Sequence, residues 1–407
     1  MAYHLRQNHF AYVAEQQLDR PEEPSMIIKV AVSGYRSLRN LVVPLAPLTV
    51  ITGANGTGKS SLYRALRMLG NIAQGRAIST LAEEGGLNST MWAGPETLSR
   101  AMKSGEVPIT GTVRRKPVGL KLGFASQDYG YTVQLGLPSE MSAFSNDPEI
   151  KTEALWIGEQ LRQSRVLAER RGPSVRILAG DGSWTQAVTS LAPFDSMMTH
   201  AAGPQDSLEL LYLRERMRDW RFYDQLRTDR DAPARKQRIG TRTPVLASDG
   251  ADLASAVQTI REIGDPDAFD KLIGDAFPGS SIEVHINDGV FSLHMFQRGL
   301  LRPLNTAELS DGTLRYLLLV AALLTPRPPS LMVLNEPETS LHPDLIPPLA
   351  RLIKEAAKHS QIVVVSHNQA LADALSGDNV LSHRLEKDTG ETVVPDAEPV
   401  SWTWPKR

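Results

Sequence analysis

The 407-residue chain contains no cysteine. That excludes disulfides, thiolate metal sites and cysteine nucleophiles together, and it suits a reducing cytoplasm, where the protein is expected to work. It also lacks any apolar run near the ~20 residues that a membrane helix requires. Stretches such as Tyr316–Leu324 stop well short, no secretory signal pattern opens the chain, and no membrane partner is expected. Nor is there a strong charge of one sign: 44 Lys and Arg against 46 Asp and Glu leave −2, so contact with nucleic acid has to come from a local patch. Long heptad runs, internal repeats and low-complexity blocks are missing too. What remains is an ordinary globular composition, 41% apolar and 22% charged, at a length that favours two lobes.

Residues 1–25 are polar and without period, and read as an N-terminal tail or docking arm. The first strand-like run is Met26–Val32. Leu48–Thr52, bounded by Pro47 and Gly53, reads as a buried parallel strand, and residues 58–69 place Leu62, Leu66 and Leu69 at helical spacing. Alternation at Tyr129, Tyr131, Val133 and Leu135 predicts an antiparallel hairpin region across 109–138. Residues 149–242 read as helical and arginine-rich, and 250–263 as an amphipathic helix on Leu253, Val257 and Ile260. Strand signals return at 281–285 and 290–295. Helix 313–324, strand 330–334, helix 344–358 and strand 361–365 then alternate in the α/β manner. The expected architecture is an α/β core with a parallel sheet and an antiparallel β region. It is assembled from an N-terminal part (26–145) and a C-terminal part (246–407) around a mainly helical insert (146–245).

Gly53-Ala54-Asn55-Gly56-Thr57-Gly58-Lys59-Ser60 fits G-x-x-x-x-G-K-[ST], with a strand before it and a helix, opening through Ser61, after it. Glycines let the backbone wrap so that successive N–H groups face phosphate oxygens, and the helix start adds partial positive charge. Lys59 is expected to neutralise the β- and γ-phosphates of ATP, and the Ser60 hydroxyl to ligate Mg²⁺.

Glu308-Leu309-Ser310-Asp311-Gly312-Thr313-Leu314-Arg315 precedes an apolar helix; Ser310 reads as its N-cap and Gly312 permits close backbone approach. Next come the strand ending in Asn335-Glu336, then Ser340-Leu341-His342-Pro343, and a further strand running into Ser366-His367. In the order GANGTGKS, LSDGT, LMVLNEPE, SLHP, VVVSH the chain resembles the ABC-type ATPases of the RecF, SMC and overcoming-lysogenisation-defect kind, and more closely the stand-alone AAA/ABC-type ATPases of bacteria. The openings IIKVAVSGYRSLRNLVVPLAPLTVITGANGTGKSSL and ASDGADLASAV match that group too. The likeness covers about 26–75 and 245–370.

That resemblance implies a P-loop ABC-ATPase head that dimerises around two ATP molecules. The signature residues Ser310, Asp311 and Gly312 of one subunit would close on the γ-phosphate held by the Walker A loop of the other. It implies Glu336 as the group that orients or deprotonates the attacking water, and His367 as a γ-phosphate contact. The glutamine that senses γ-phosphate and magnesium in such proteins is best matched by Gln127, at a hairpin bend, with Gln134 and Gln160 competing. Where relatives carry aspartate to hold a magnesium-bound water, this chain has Asn335. An amide oxygen still accepts that water's hydrogen bond but lacks the charge, so turnover is expected to be slow rather than absent.

Residues 212–242 hold ten Lys and Arg against five Asp and Glu, with Trp220, Phe222 and Tyr223 among them. Arg214, Arg218 and Arg221 are candidates for DNA phosphates with the aromatics stacking on bases; the alternative is a solvated helix whose aromatics pack inward. Arg162, Arg165, Arg170 and Arg171 form a weaker cluster. Two roles therefore stand open: a DNA-transacting ATPase of repair or phage defence, or a regulatory ATP-gated clamp controlling a partner effector protein.

Overall fold

The computed structural model describes residues 25–95, 100–104, 106–107, 119–138, 143–144, 146–203, 207–395 and 400–405. Residues 1–24 of the tail expected at 1–25, and the start of the expected 109–138 hairpin region, lie outside them. The chain forms two compact units: Met1–Leu45, Gly53–Asp219 and His383–Arg407 in the first, Ala46–Thr52 and Trp220–Ser382 in the second.

The chain runs through β1 (Ile27–Tyr35), β2 (Leu38–Pro44), β3 (Leu48–Gly53) and α1 (Lys59–Ile72). Six more strands follow: β4 (Leu120–Ser126), β5 (Tyr129–Gly136), β6 (Glu149–Ile157), β7 (Val166–Arg171), β8 (Ser174–Leu178) and β9 (Trp184–Val188). In the first unit all of these strands except β3 make one antiparallel sheet, in the order β2-β1-β4-β5-β6-β7-β8-β9. The alternation read at Tyr129–Leu135 is thus β5 of the predicted hairpin, paired with β4. Leu62, Leu66 and Leu69 are buried along α1, as their spacing predicts.

The mainly helical insert expected over 146–245 is corrected here. Residues 149–188 are four strands, and the one long helix of that stretch is α2 (Leu208–Asp219). Glu153, Ala154 and Leu155 are good helix formers, but pairing of β6 with both β5 and β7 overrides that local preference. The turn between β7 and β8 sits at Gly172-Pro173, with Gly172 at φ +57°, a breaker inside the presumed helical run. Arg170, a member of the weaker arginine cluster, is fully buried against Glu153 at 3.3 Å. Glu153 also accepts from Tyr131 (2.6 Å) and from the backbone of Met197 (2.8 Å). A buried charge pair of this kind persists only with such additional hydrogen bonds.

The second unit continues with β10 (Arg221–Tyr223), α3 (Leu253–Ile263), α4 (Pro266–Ala276) and the hairpin β11 (Ser280–Asn287)–β12 (Val290–Gln297). It then alternates α5 (Asp311–Leu323), β13 (Leu331–Asn335), α6 (Ile346–Ala356) and β14 (Gln361–Val365). Within this unit, β10, β13, β14 and β3 lie side by side in that order and are all parallel. Strand β3, near residue 50, thus pairs directly with β14, more than 300 residues further along the chain. Helix α5 is apolar nearly all round (Leu314, Leu317, Leu318, Val320) and belongs to the same buried cluster as Met332 and Leu334 of β13 and Ile362 and Val364 of β14.

Candidate nucleotide-binding site

The glycine loop leaves β3 at Gly53 and enters α1 at Gly58, whose φ of +105° makes it a left-handed N-cap. A Cβ at Gly58 would sit 2.2 Å from Thr392 Oγ1. That hydroxyl donates to the Thr57 carbonyl at 2.7 Å, so it cannot retreat without loosening the loop. No side chain caps α1 and its first turn carries no acidic residue, which leaves its backbone N–H groups and partial positive charge for an anion. Ala54, Asn55, Gly56 and Ser60 are exposed, while Ser61 is half-buried. Lys59 is buried, with Nζ donating to the carbonyls of Gly53 (2.6 Å) and Ala54 (3.0 Å). The Thr57 hydroxyl donates to Ala54 as well, at 2.8 Å. The loop thus holds its own lysine at its centre.

In the second unit the carboxyl ends of three parallel strands come into register: Asn335 of β13 beside Val365 of β14, and Val365 beside Ile51 of β3. Such ends are where open α/β sheets bind ligands. Glu336 follows β13 at φ +48°, a conformation that costs an ordinary residue about 1–2 kcal/mol and is held by its surroundings. Its N–H donates to the Val365 carbonyl at 2.7 Å. Its own carbonyl accepts from Arg315 Nη2 at 3.1 Å, while Arg315 Nη1 donates to the Leu226 carbonyl at 2.6 Å. The carboxylate so aimed lies 3.3 Å from His367 Nδ1, and both side chains remain partly exposed. Glu338 is buried: Ser366 Oγ donates to its Oε1 at 2.5 Å, His367 Nδ1 stands 3.8 Å from the same oxygen, and its Oε2 has no hydrogen-bond partner among the described residues.

Arg315 and Glu338 carry more of this arrangement than the sequence reading allowed. Burial pulls the Arg315 guanidinium below its ordinary value, with Glu338, Asp224 and Glu336 opposing. The available signal was a lone cation near the start of an otherwise apolar helix.

The stretch before α5 has the predicted local form. Ser310 Oγ accepts from the Thr313 N–H at 3.2 Å as the N-cap, and a Cβ on Gly312 would stand 2.8 Å from the Ser340 carbonyl oxygen. Asp311 is exposed and bridged by Arg235 at 2.8 Å.

Other expected residues fall differently. Gln127 is exposed at the bend between β4 and β5. Arg214 and Arg218 both pair with Glu215, at 3.0 and 3.2 Å, and Arg221 donates to the Trp220 carbonyl at 3.2 Å. Trp220 and Tyr223 are buried and Phe222 half-buried, so these three pack inward, whereas Tyr212 of the same segment is exposed. Arg36, which with Arg39 precedes the loop in sequence, pairs with Glu84 at 2.8 Å, and Arg39 with Glu391 at 3.1 Å.

Comparison with known proteins follows the same lines. The family model AAA_21, described as "AAA domain, putative AbiEii toxin, Type IV TA system", matches residues 48–373. Among solved structures, an SmcHead bound to the C-winged helix domain of ScpA superimposes with a TM-score of 0.50 at 14% identity, over 91% of this chain and 97% of that one. The SMC head domain from Thermotoga maritima gives a TM-score of 0.42 at 17% identity, over 92% of this chain and 100% of that one. No curated protein matches the chain. Among the described residues, no helix is long and apolar enough to cross a membrane.

Proposed function

The chain belongs to the AAA family so described and carries the P-loop ABC-ATPase head fold of the SMC kind, and from that premise we propose that it binds Mg-ATP, hydrolyses it slowly and closes into a nucleotide-bridged dimer. The observation that carries this reading is the Glu336 carboxylate, fixed through a left-handed backbone by Arg315 and paired with His367 at 3.3 Å. Lys59 exchanges the carbonyls of Gly53 and Ala54 for phosphate oxygens. Glu336 takes a proton from water as its oxygen bonds to the γ-phosphorus, and the bond to the bridging oxygen of ADP breaks. His367 orients Glu336 and meets the developing charge.

Magnesium enters with ATP as part of the substrate. Among the described residues no cluster of three His or acidic side chains forms a cage of its own, and Mg²⁺ commonly takes few protein ligands beside phosphate and water. The exposed Ser60 hydroxyl and the Asn335 amide suit that division of labour. Replacing Asn335 by Asp is expected to lower the magnesium concentration for half-maximal turnover and raise kcat by about threefold to tenfold, because charge-assisted bonds are roughly twice as strong as neutral ones. A magnesium titration identical to wild type would remove Asn335 from the metal's surroundings.

Arg315→Lys keeps the charge but gives up the fork that reaches two carbonyls. It is expected to reduce turnover by about tenfold with ATP affinity unchanged, and stability by about 1–3 kcal/mol. Undiminished kcat would detach Arg315 from the placement of Glu336.

Of the two roles, control of a partner protein is better supported than a grip on DNA. Arg214 and Arg218 are shared with Glu215, and Trp220 and Tyr223 turn inward. The family description names a toxin of a toxin–antitoxin system, and the SmcHead of like fold was solved with a protein partner. Turnover with and without duplex DNA decides: stimulation lost when Arg214, Arg218 and Arg221 become Gln would restore the DNA role in repair or phage defence.

A further inference from the structure

Resting on the ATP-closed dimer proposed above, we propose that Arg235 is the positioning residue that lets the turn at Ser310 receive a phosphate, by cancelling the charge of Asp311. A carboxylate in the first turn of a helix stabilises the helix, yet it repels an anion brought to the same end. Asp311 occupies that first turn with its side chain 57% exposed, whereas the Arg235 side chain is only 8% exposed.

Arg235 does not reach Asp311 as a mobile surface cation. Its Nη1 donates to the carbonyls of Thr306 and Leu309, both at 2.8 Å, and its Nε and Nη2 donate to Thr228 at 2.9 and 2.7 Å. Thr306 Oγ1 returns a bond to the Arg235 carbonyl at 3.1 Å. The remaining direction of Nη2 carries the 2.8 Å contact to Asp311 Oδ1. Carbonyls use the guanidinium's protons without cancelling its charge, so the single carboxylate it meets is neutralised by a cation held in place by backbone. The nearby Glu308 is matched separately, by Arg302 at 2.6 Å. The segment that looked like a basic patch in sequence therefore straps the loop before α5 and sets its charge.

The test uses the full chain, its association in the presence of a non-hydrolysable ATP analogue followed by sedimentation, and binding of a fluorescent ATP to the monomer. Arg235→Gln is expected to weaken association by about tenfold or more, with monomer binding within about twofold, because like charges at an interface are strongly unfavourable. Arg235→Gln combined with Asp311→Asn is expected to recover most of the loss. Asp311→Asn alone leaves the backbone bonds of Arg235 in place and is expected to associate at least as tightly as wild type, an arm that reads even where Arg235→Gln fails to fold. Absence of recovery in the double variant, or weakening by Asp311→Asn as large as that by Arg235→Gln, would overturn the proposal and leave Arg235 a strut. A wild-type chain that never associates with the analogue sinks the dimer first and this proposal with it.

Discussion

Glu336→Gln is expected to lower steady-state Mg-ATP turnover by about a hundredfold or more while ATP affinity stays within about twofold, since a positioned general base contributes 10²–10⁴-fold to the reaction and little to ground-state binding. Gln has nearly the same shape and the same difficulty at φ +48°, so Arg315 and the Val365 carbonyl hold the backbone as before. What changes is that an amide cannot accept the proton of the attacking water. The 3.3 Å contact to His367 loses its charge at the same time. Steady-state phosphate release measured beside ATP binding separates the two effects. Wild type and variant equally inert, yet both binding ATP, would replace the enzyme with a nucleotide-gated clamp.

Lys59→Ala strikes the other step. Loss of the ammonium is expected to weaken Mg-ATP binding by about a hundredfold, the scale of two charge-assisted hydrogen bonds to phosphate. In the nucleotide-free chain the same change leaves the carbonyls of Gly53 and Ala54 without their donor, costing about 1–3 kcal/mol of stability. Thermal unfolding reads both at once. ATP raises the melting temperature of any chain that binds it in the folded state. The rise should persist in Glu336→Gln and vanish in Lys59→Ala. An unchanged ATP-dependent rise in Lys59→Ala would mean that the loop at 53–60 is not where phosphate binds.

The two variants rest on parts of the molecule that were legible to different degrees. Lys59 stands in a contiguous stretch whose strand before and helix after could be read directly, and Gly58 turned out to need both its conformational freedom and its missing side chain. Glu336 could be placed at a strand end, but its left-handed backbone could not, because the partners that hold it lie at Val365 and at Arg315. Asn335 was visible as a departure from the pattern that the resemblance implies. That it lies in register with Val365 and, through it, with Ile51 became visible only when the sheet order was known.

By itself the sequence determined the features that depend on a few neighbouring residues: the glycine loop at 53–58, the Ser310 cap and the apolar strands of the parallel sheet. Glycine turns, capping and periodicity are short-range, so a dozen residues suffice to specify them. The tertiary structure alone decided that residues 149–188 are strands rather than helices, because pairing between β5, β6 and β7 outweighs local propensity. It alone decided the fate of the arginines. Arg170 went to a buried carboxylate, and Arg235 went to the signature loop across 71–76 residues of chain. A charge has no preferred partner in sequence; only folding brings the acceptors within reach, and at distances near 3 Å the partner chosen determines whether a cation binds phosphate, a carbonyl or a neighbouring acid.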